Sequence, residues 1–331
     1  MKITEKKAFR IIRNILIGII GFIAVVVVAA RIYFRAPVRS YYKISDKAFA
    51  FPGLGEGYIA QGLSYDKATD NFFLTGYMAD HSASPIYIVN RASKKVVNSI
   101  RMANPDGSDF TGHAGGLSVC GEKIYVAGSE DCCLYVFDKA SIEKAQKNSY
   151  VKYIDVVPLN NSNDGIGVAF TTVHDGLIYA GEFYKDVVYP TSEDHYVSCA
   201  DGTNKALAVG FSVEGNTAIP EVAYSIPNEI QGMCFGPDGI YLTRSWGAST
   251  SNIYKFDYDA LVQKGTKKVL DKEVPLYILD SSNMAQNYKA PPMAEEIEFV
   301  DGRYYISNES ASKKYIFGKF TGGRWCYSTE Y

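Results

Sequence analysis

Residues 115–127, GGLSVCGEKIYVA, contain a strand–turn–strand pattern that is repeated along most of the chain. Gly115 and Gly116 open a short strand, Gly121 and Glu122 form a tight turn, and an aromatic-aliphatic strand follows. Apolar and polar residues alternate here with a period of two, which predicts β-strands and excludes a helical repeat. The same order occurs five times, with first strands at residues 61–65, 115–119, 169–173, 231–235 and 295–299.

Equivalent positions in the five copies are 54, 54, 62 and 64 residues apart. Periods of this length, with about four strands in each, are typical of the blades of a β-propeller. A single blade cannot bury both of its own faces, so the blades must stack and close into a ring. The sequence therefore predicts an all-β fold, a β-propeller of about five four-stranded blades. A degenerate sixth blade in residues 184–205 or 257–292 is the alternative.

Two segments compete for the strand that closes the ring. Residues 43–51 lead into the first copy much as residues 224–227 lead into the fourth, which predicts that an N-terminal strand completes the last blade. The tail at residues 324–327 is suited to the same edge. Residues 315–317 are expected to form the third strand of that blade, because they match the Tyr-rich third strands of other copies.

On these residues the chain resembles the extracytoplasmic propellers of the NHL-repeat, YVTN-like and gluconolactonase-like group. The resemblance covers about residues 44–320 and is one of architecture only, because propellers host unrelated functions. It implies that the loops before the first strand and after the second strand of each blade meet on one face, around a central channel.

The N-terminal segment is apolar enough to span a membrane. Residues 15–30 carry no charge, and residues 32–34 extend the stretch to about 20 residues if Arg31 reaches the interface. We expect a basic cytoplasmic tail at 1–14, one transmembrane helix at 15–34, a linker at 35–43 and the propeller domain at 44–331. No other segment is apolar enough to return the chain, so the propeller is expected outside the cytoplasm, on the cell membrane. The small residues at 28–30 leave signal-peptide cleavage, and hence secretion, as the alternative.

Composition narrows the class of function. A hydrophobic content of 47% excludes a disordered chain, and a net charge of −2 gives no reason to expect nucleic acid as a partner. The sequence has no nucleophile elbow, no P-loop and no zinc-protease motif. Its six cysteines show no metal-binding spacing and allow either one or two disulfides or buried thiols.

One column of the repeat alignment predicts a binding site on the channel face. Its residues differ from copy to copy: Gly76, Gly128, Glu182, Arg244 and Asn308. Structural positions in a repeat tend to be alike, as are the positions where most copies have tyrosine. Such broken symmetry is typical of a site built on a repetitive scaffold. The predicted ligand-binding residues are Gln61, His113, Glu182, Gln231, Arg244, Trp246, Glu296, Asn308 and Glu309.

Several of these residues also have a structural interpretation. His113 is suited to a hydrogen bond with a neighbouring blade, Arg244 to an ion pair with Glu295 or Glu296, and Trp246 to packing between blades. Since adjacent side chains of a strand point to opposite faces, at most one of the two glutamates is expected to face the channel.

Calcium is the cofactor that the sequence allows. Glu182, Glu296 and Asn308 are weak candidate ligands, because Ca²⁺ takes 6–8 oxygen atoms from carboxylates, carbonyls and waters. The long segment 184–205 is expected to be a lid over the same face. Its histidine, His195, has no partner at a recognisable spacing.

Three functions are compatible with these residues. The first is a membrane-tethered module that binds a small molecule or a protein at the channel face. The second is a calcium-dependent hydrolase of the lactonase or esterase type, with His113 as the base. The third is a structural scaffold in an envelope complex. We rank the binding module first and the hydrolase second.

Overall fold

The computed structural model describes residues 2–315 and 317–331 of the chain. It begins with a helix, Lys2–Arg35, in which the 29 residues Lys7–Arg35 form a candidate membrane span whose most apolar 18-residue stretch has a mean hydropathy of 2.8. None of the most apolar part of this helix is buried in the protein, whereas a core helix would be mostly buried. By length and composition it is suited to crossing a membrane or to serving as a signal sequence. A short helix, Arg39–Lys43, follows it.

The rest of the chain is a β-propeller of five blades, each with four antiparallel strands. Blade 1 contains Tyr58–Asp66, Asn71–Met78, Pro85–Asn90 and Lys95–Ala103. Blade 2 contains Leu117–Cys120, Lys123–Gly128, Cys133–Asp138 and Asp155–Pro158. Blade 3 contains Phe170–His174, Leu177–Gly181, Ala206–Glu214 and Thr217–Ile226. Blade 4 contains Ile230–Phe235, Gly239–Arg244, Ser251–Asp257 and Met284–Ala290. Blade 5 contains Ala294–Val300, Arg303–Asn308, Trp325–Thr329 and Ser45–Ala50.

Neither segment that could have formed a sixth blade does so. The hairpin Gln263–Val269 and Lys272–Ile278 adds two strands to the outer edge of blade 3, where Lys272–Ile278 pairs in parallel. In the same way, Ser149–Lys152 adds a parallel fifth strand to blade 1. The 184–205 segment contains a 3₁₀ turn, Glu193–His195, and a small hairpin, Val197–Cys199 with Gly202–Asn204. Two short helices, Lys139–Lys144 and Gly318–Thr321, lie in loops, as do the 3₁₀ turns Tyr258–Ala260 and Glu309–Ala311.

Both candidate closing strands belong to blade 5. Trp325–Thr329 is the third strand, paired with Arg303–Asn308, and Ser45–Ala50 is the fourth, paired with Trp325–Thr329. The expected third strand at residues 315–317 is wrong for Tyr315 and Phe317, which lie in the loop before helix Gly318–Thr321, while Ile316 lies outside the described residues. The turn with the left-handed Gly322 (φ 77°) delays the strand until Trp325.

Closure of the ring is visible in its hydrophobic cores. In the described part of the chain, a separate core fills each of the five interfaces between neighbouring blades. Apolar residues on both faces of a blade are thereby buried, which is why consecutive residues such as Phe72, Phe73 and Leu74 are all buried apolar side chains. Representative pairs, from the interface of blades 1 and 2 round to that of blades 5 and 1, are Phe73 with Leu117, Leu134 with Ile178, Phe170 with Ile230, Tyr241 with Ile297, and Phe49 with Leu63.

The five first strands crowd around the axis and leave little room between them. A β-carbon on Gly62 would lie 2.6 Å from the backbone nitrogen of Leu117, and one on Gly116 would lie 2.5 Å from that of Thr171. These two glycines therefore allow the first strands of blades 1, 2 and 3 to approach closely.

The loops that lead into the first strands and leave the second strands form one face, here called the rim face. The turns between first and second strands form the opposite face, here called the turn face. The N-terminal helix meets the rim face, because Phe34 stacks on Phe317 with ring centroids 5.6 Å apart and on Phe320 at 6.4 Å. The Tyr42 hydroxyl donates a hydrogen bond to the carbonyl of Thr321 in the same loop.

Candidate functional site

A group of polar side chains from blades 1, 2, 4 and 5 surrounds the channel on the rim face. We call it the rim cluster, and its members are Gln61, Tyr77, His113, Gln231, Glu295, Glu309 and Tyr315. His113 Nε2 lies 3.0 Å from Gln61 Oε1, and the His113 ring stacks on Tyr77 with centroids 4.6 Å apart. Blade 1 is thereby joined to blade 2.

Glu309 is the hydrogen-bond acceptor at the centre of the rim cluster. The Tyr77 hydroxyl donates to Glu309 Oε1 at 3.0 Å and the Tyr315 hydroxyl donates to the same atom at 3.1 Å. Lys314 Nζ lies 2.8 Å from the Tyr77 hydroxyl. On the blade 4 side, Gln231 Nε2 donates to Glu295 Oε1 at 3.5 Å.

Local irregularities in three blades explain why these side chains converge. The pairing of first and second strands shifts between Ala60 and Leu63, between Ile230 and Gly232, and between Ala294 and Ile297. Gln61, Gln231 and Glu295 lie inside these three bulges, whereas the first strands of blades 2 and 3 pair regularly. A bulge re-aims the side chain it contains, so three equivalent positions turn toward the channel mouth.

The two carboxyl groups of the rim cluster perturb each other. Burial raises the pKa of Glu295 well above its ordinary value, and the charges of Glu309 and Glu296 raise it further. Burial also raises the pKa of Glu309, against the lowering effects of Tyr77, Lys314 and Tyr315. Two neighbouring buried carboxyl groups therefore compete for one negative charge.

His113 is the neutral member of the cluster at physiological pH. Part of the residue is exposed to solvent, but the protein packed around its imidazole ring lowers its pKa to about 4 by desolvation, with a smaller effect of Lys314. A neutral imidazole has one donor and one acceptor nitrogen, so it suits a hydrogen-bonding role and adds no positive charge beside the two carboxyl groups.

Two further carboxyl groups lie deeper in the channel, on the first strand of blade 5. Glu296 is 1% exposed, and neither of its carboxyl oxygens has a hydrogen-bond partner among the described residues. Burial and then Glu298 raise its pKa, while the backbone amides of Leu117 and Thr171, on blades 2 and 3, lower it. Its side chain therefore reaches across the axis. Burial raises the pKa of Glu298 to about 8.

The expectation that at most one of Glu295 and Glu296 faces the channel is wrong. Strict alternation assumes regular pairing, and the bulge between Ala294 and Ile297 interrupts it. Glu295 accordingly lies at the mouth beside Gln231, and Glu296 lies below it on the axis.

Glu182 belongs to a different cluster, at the base of the 184–205 segment. His195 is 1% exposed, with Nδ1 2.9 Å from Glu182 Oε1 and Nε2 2.8 Å from Asp164 Oδ1. Burial lowers the pKa of His195, but the hydrogen bonds and charges of Glu182 and Asp164 outweigh burial and raise it. His195 thus ties the 184–205 segment to blade 3 and to the loop before that blade.

Arg244 and Trp246 form a third group. Arg244 Nη2 lies 2.6 Å from Glu229 Oε2, and Lys185 Nζ lies 2.5 Å from Glu229 Oε1. The partner of Arg244 is therefore Glu229, which precedes the first strand of blade 4, and neither Glu295 nor Glu296. Trp246 is 40% exposed and stacks on Phe183 with ring centroids 6.1 Å apart.

The three calcium candidates have separate surroundings. Glu182 accepts from His195 and from the amide of Leu207, while Asn308 donates to the carbonyl of Pro292 and accepts from the amide of Ser310. In residues 2–315 and 317–331, no three His, Cys, Asp or Glu side chains form a group that could hold a metal ion.

The structure thus brings together Gln61, His113, Gln231 and Glu309 of the nine predicted residues. Of the other five, Glu296 lies on the channel axis, Glu182, Arg244 and Trp246 lie in two neighbouring clusters, and Asn308 bonds to Pro292 and Ser310. The sequence predicted Glu296 for the site, whereas Glu295 is the glutamate of this strand that lies in the rim cluster. The pairing of Glu229 with Arg244 and that of His195 with Asp164 had no signal in the repeat, because Glu229, His195 and Asp164 lie outside the repeated strands.

The turn face has a cleft of about 390 Å³ between blades 5 and 1. Its two arginines are already paired, Arg91 with Asp70 and Asp301, and Arg303 with Asp46. Of its two lysines, Lys94 donates to the carbonyl of Lys47, and Lys47 Nζ lies 5.0 Å from the centroid of the Trp325 ring.

Comparison with known proteins finds distant structural likenesses only. No family model matches the chain, and no curated protein matches it significantly. Among solved structures, the chain is similar to the glutaminyl cyclase of Myxococcus xanthus, with a TM-score of 0.44, 12% identity, and coverage of 86% of this chain and 94% of that one. It is also similar to the PQQ-bound aldose sugar dehydrogenase of Streptomyces coelicolor, with a TM-score of 0.42, 11% identity and coverage of 80% and 76%. The Dos1 propeller matches with a TM-score of 0.35, 9% identity and coverage of 80% and 72%. The five blades of the structure itself identify the chain as a β-propeller.

Proposed function

We propose that this protein is a membrane-tethered, extracytoplasmic propeller that binds a small ligand at the rim cluster. The observation that carries the proposal is the pair of buried carboxyl groups, Glu295 and Glu309, surrounded by hydrogen-bonding side chains from four blades. Buried ionisable groups with perturbed pKa values are typical of functional sites.

The chemistry of the cluster favours a small organic cation, such as an amine. Among the described residues, the Glu295 carboxyl group accepts a hydrogen bond only from the side-chain amide of Gln231, and Lys314, the basic side chain near Glu309, is directed at the Tyr77 hydroxyl. A bound ammonium group would restore both carboxylates to their charged form. The Tyr77 and Tyr315 rings already face one cation, because Lys314 Nζ lies 5.1 and 5.3 Å from their centroids, so a ligand ammonium group would meet the carboxylates and not these ring faces.

The N-terminal helix supports the proposed location. With the basic residues 2–13 on the cytoplasmic side and one candidate span among the described residues, the propeller would lie on the outer side of the membrane. Cleavage of the helix as a signal peptide would release the propeller and leave the rim cluster unchanged.

A thermal-shift titration of the full-length protein in detergent tests the binding site. Ethanolamine, choline and lysine are compared with ethylene glycol and glucose, and a ligand present at about 100 times its Kd stabilises the native state by about 2.7 kcal/mol. We expect an amine to raise Tm in the wild type and not in Glu309→Gln. The control Glu122→Gln, at an exposed position on the turn face, should respond like the wild type. An amine response that survives Glu309→Gln and Glu295→Gln together would refute the site.

The calcium-dependent hydrolase is the second candidate, supported by the two unpartnered carboxyl oxygens of Glu296. It predicts a metal in the purified protein and a fall in Tm on chelation, both absent in Glu296→Gln. The scaffold alternative predicts that neither amines nor chelators alter Tm.

A further inference from the structure

Four exposed apolar side chains of the propeller, among them its most exposed one, Val187, form a patch on the rim face of blades 3 and 4. We call it the apolar patch, and it consists of Val187, Val188, Tyr189 and Trp246, which are 92%, 53%, 53% and 40% exposed. No described residue covers it. Water-exposed apolar groups that are grouped in this way mark interaction surfaces more often than single exposed residues do.

The patch is held in shape by its own contacts. Lys185 and Tyr189 exchange both backbone hydrogen bonds, at 3.0 and 2.8 Å, so residues 185–189 form a tight hairpin. The rings of Tyr189 and Trp246 both pack on Phe183, with centroids 5.6 and 6.1 Å away. The apolar tip is therefore presented by a rigid base.

Val187 is an unfavourable residue for the tip of a hairpin in water. Its φ of 66° lies in the left-handed region, which a β-branched residue rarely adopts. Its side chain is also almost wholly exposed. Glycine or asparagine would remove both costs, so a valine here is best explained by an apolar surrounding for its side chain.

The N-terminal helix identifies that surrounding. Phe34, near the end of the apolar span, stacks on Phe317 and Phe320 in the loop after the second strand of blade 5. The apolar patch lies on the equivalent loops of blades 3 and 4. The end of the membrane span and the patch are thus both on the rim face.

We propose that the apolar patch lies in the interfacial layer of the membrane that the N-terminal helix spans, so that the propeller contacts the lipid surface at two points. This inference rests on the proposed tether and is independent of the ligand. Tyr and Trp are favoured at the level of the lipid headgroups, where an apolar ring meets water. Lys185, whose Nζ lies 5.2 Å above the Trp246 ring, can keep its charge among the headgroups while its stem follows the patch.

Quenching of Trp246 by brominated lipids tests the proposal in the full-length protein. The chain has two tryptophans, so Trp325→Phe leaves Trp246 as the sole emitter. After reconstitution into phosphatidylcholine vesicles, we expect bromine near the headgroup end of the acyl chains to quench Trp246 strongly. The matched control carries Trp246→Phe, Trp325→Phe and Ile154→Trp. Ile154 is 61% exposed where the chain enters the fourth strand of blade 2 from the turn face, and it should be quenched little.

The changes Val187→Ser and Val188→Ser together should reduce the quenching of Trp246 at least several-fold, because the hairpin would no longer hold the ring in the lipid. Flotation of the vesicles separates the two hypotheses. If the protein floats with the vesicles but Trp246 is not quenched, the membrane tether stands and the lipid contact of the apolar patch is refuted. The lipid contact is also refuted if Trp246 is shielded only when a second copy of the protein is added. If the protein does not float, both the tether and the lipid contact are refuted. Amine binding at the rim cluster is measured separately in detergent, so its outcome is independent of these results.

Discussion

Replacing His195 by phenylalanine tests whether the Glu182–His195–Asp164 cluster stabilises the propeller. Phenylalanine fills similar space but donates no hydrogen bond, so Glu182, which is 2% exposed, and Asp164 lose their common partner. Breaking a buried ion pair by removing one member costs about 3–5 kcal/mol. The amides of Leu207 and Leu270 still donate to the two carboxylates, which places the expected loss near 3 kcal/mol at the lower end of that range.

The loss should depend on pH, because the pKa of His195 is raised in the folded protein. Its contribution to stability is fully present below the unfolded pKa of about 6.5 and is lost as the pH rises through the folded pKa. Burial acts to raise the pKa of Asp164, but the hydrogen bonds from the Leu270 amide and His195 outweigh burial, so the pKa is lowered. Its contribution is present above about pH 3.9 and is lost as the pH falls through its folded pKa. The difference between wild type and variant should therefore be largest between about pH 4 and 6.5.

Urea unfolding of the detergent-solubilised chain, followed by tryptophan fluorescence at about pH 5.5 and 8.5, measures this difference. A loss of about 3 kcal/mol corresponds to a fall in Tm of roughly 6–12 °C. His174→Phe is the matched control, because His174 is half-exposed and its 4.1 Å stack on Phe235 survives the change. Equal stability of His195→Phe and the wild type at both pH values, or an equal loss at both, would show that the cluster contributes no charge-dependent stability.

Three other substitutions have expected outcomes. Glu309→Gln should lower the pKa of Glu295 by removing a neighbouring charge, so the fall in Tm from about pH 5 to 8 should be smaller than in the wild type. Gly62→Ala should cost about 1–3 kcal/mol, because its β-carbon would overlap the backbone of blade 2, whereas Gly55→Ala, with nothing within 4 Å, should be neutral in the same urea titration. Phe49→Ala, in the core between blades 5 and 1, should cost about 3–5 kcal/mol and lower Tm without changing the response to amines.

The repeat was sufficient to predict the architecture because it is encoded locally. Each first strand, its turn and its second strand are consecutive in sequence, and the glycines at Gly62 and Gly116 mark where strands crowd the axis. The strand Ser45–Ala50 was predicted from its likeness to the segment that precedes blade 4. The third strand of blade 5 was misassigned because a Tyr-rich loop precedes the actual strand, Trp325–Thr329.

The candidate site was only partly predictable, since its geometry depends on departures from the repeat. Three bulges turn Gln61, Gln231 and Glu295 toward the mouth, and a sequence that alternates regularly gives no sign of them. The environment of His195 depends on Asp164, which lies 31 residues away in a loop. Contacts of this kind are fixed by tertiary packing and leave no periodic trace.

Blade 5 has a consequence for how the protein is made. Ser45 and Thr329, whose hydroxyls lie 2.8 Å apart, are separated by 284 residues of chain. The N-terminal strand leaves the ribosome early and cannot pair until the strand Trp325–Thr329 has also been synthesised, so its edge stays unpaired throughout translation. Closing so long a loop is entropically costly and slow, and an unpaired edge invites pairing with other chains. Attachment of residues 2–35 to a membrane would keep each early strand fixed in place and apart from its neighbours until its partner arrives.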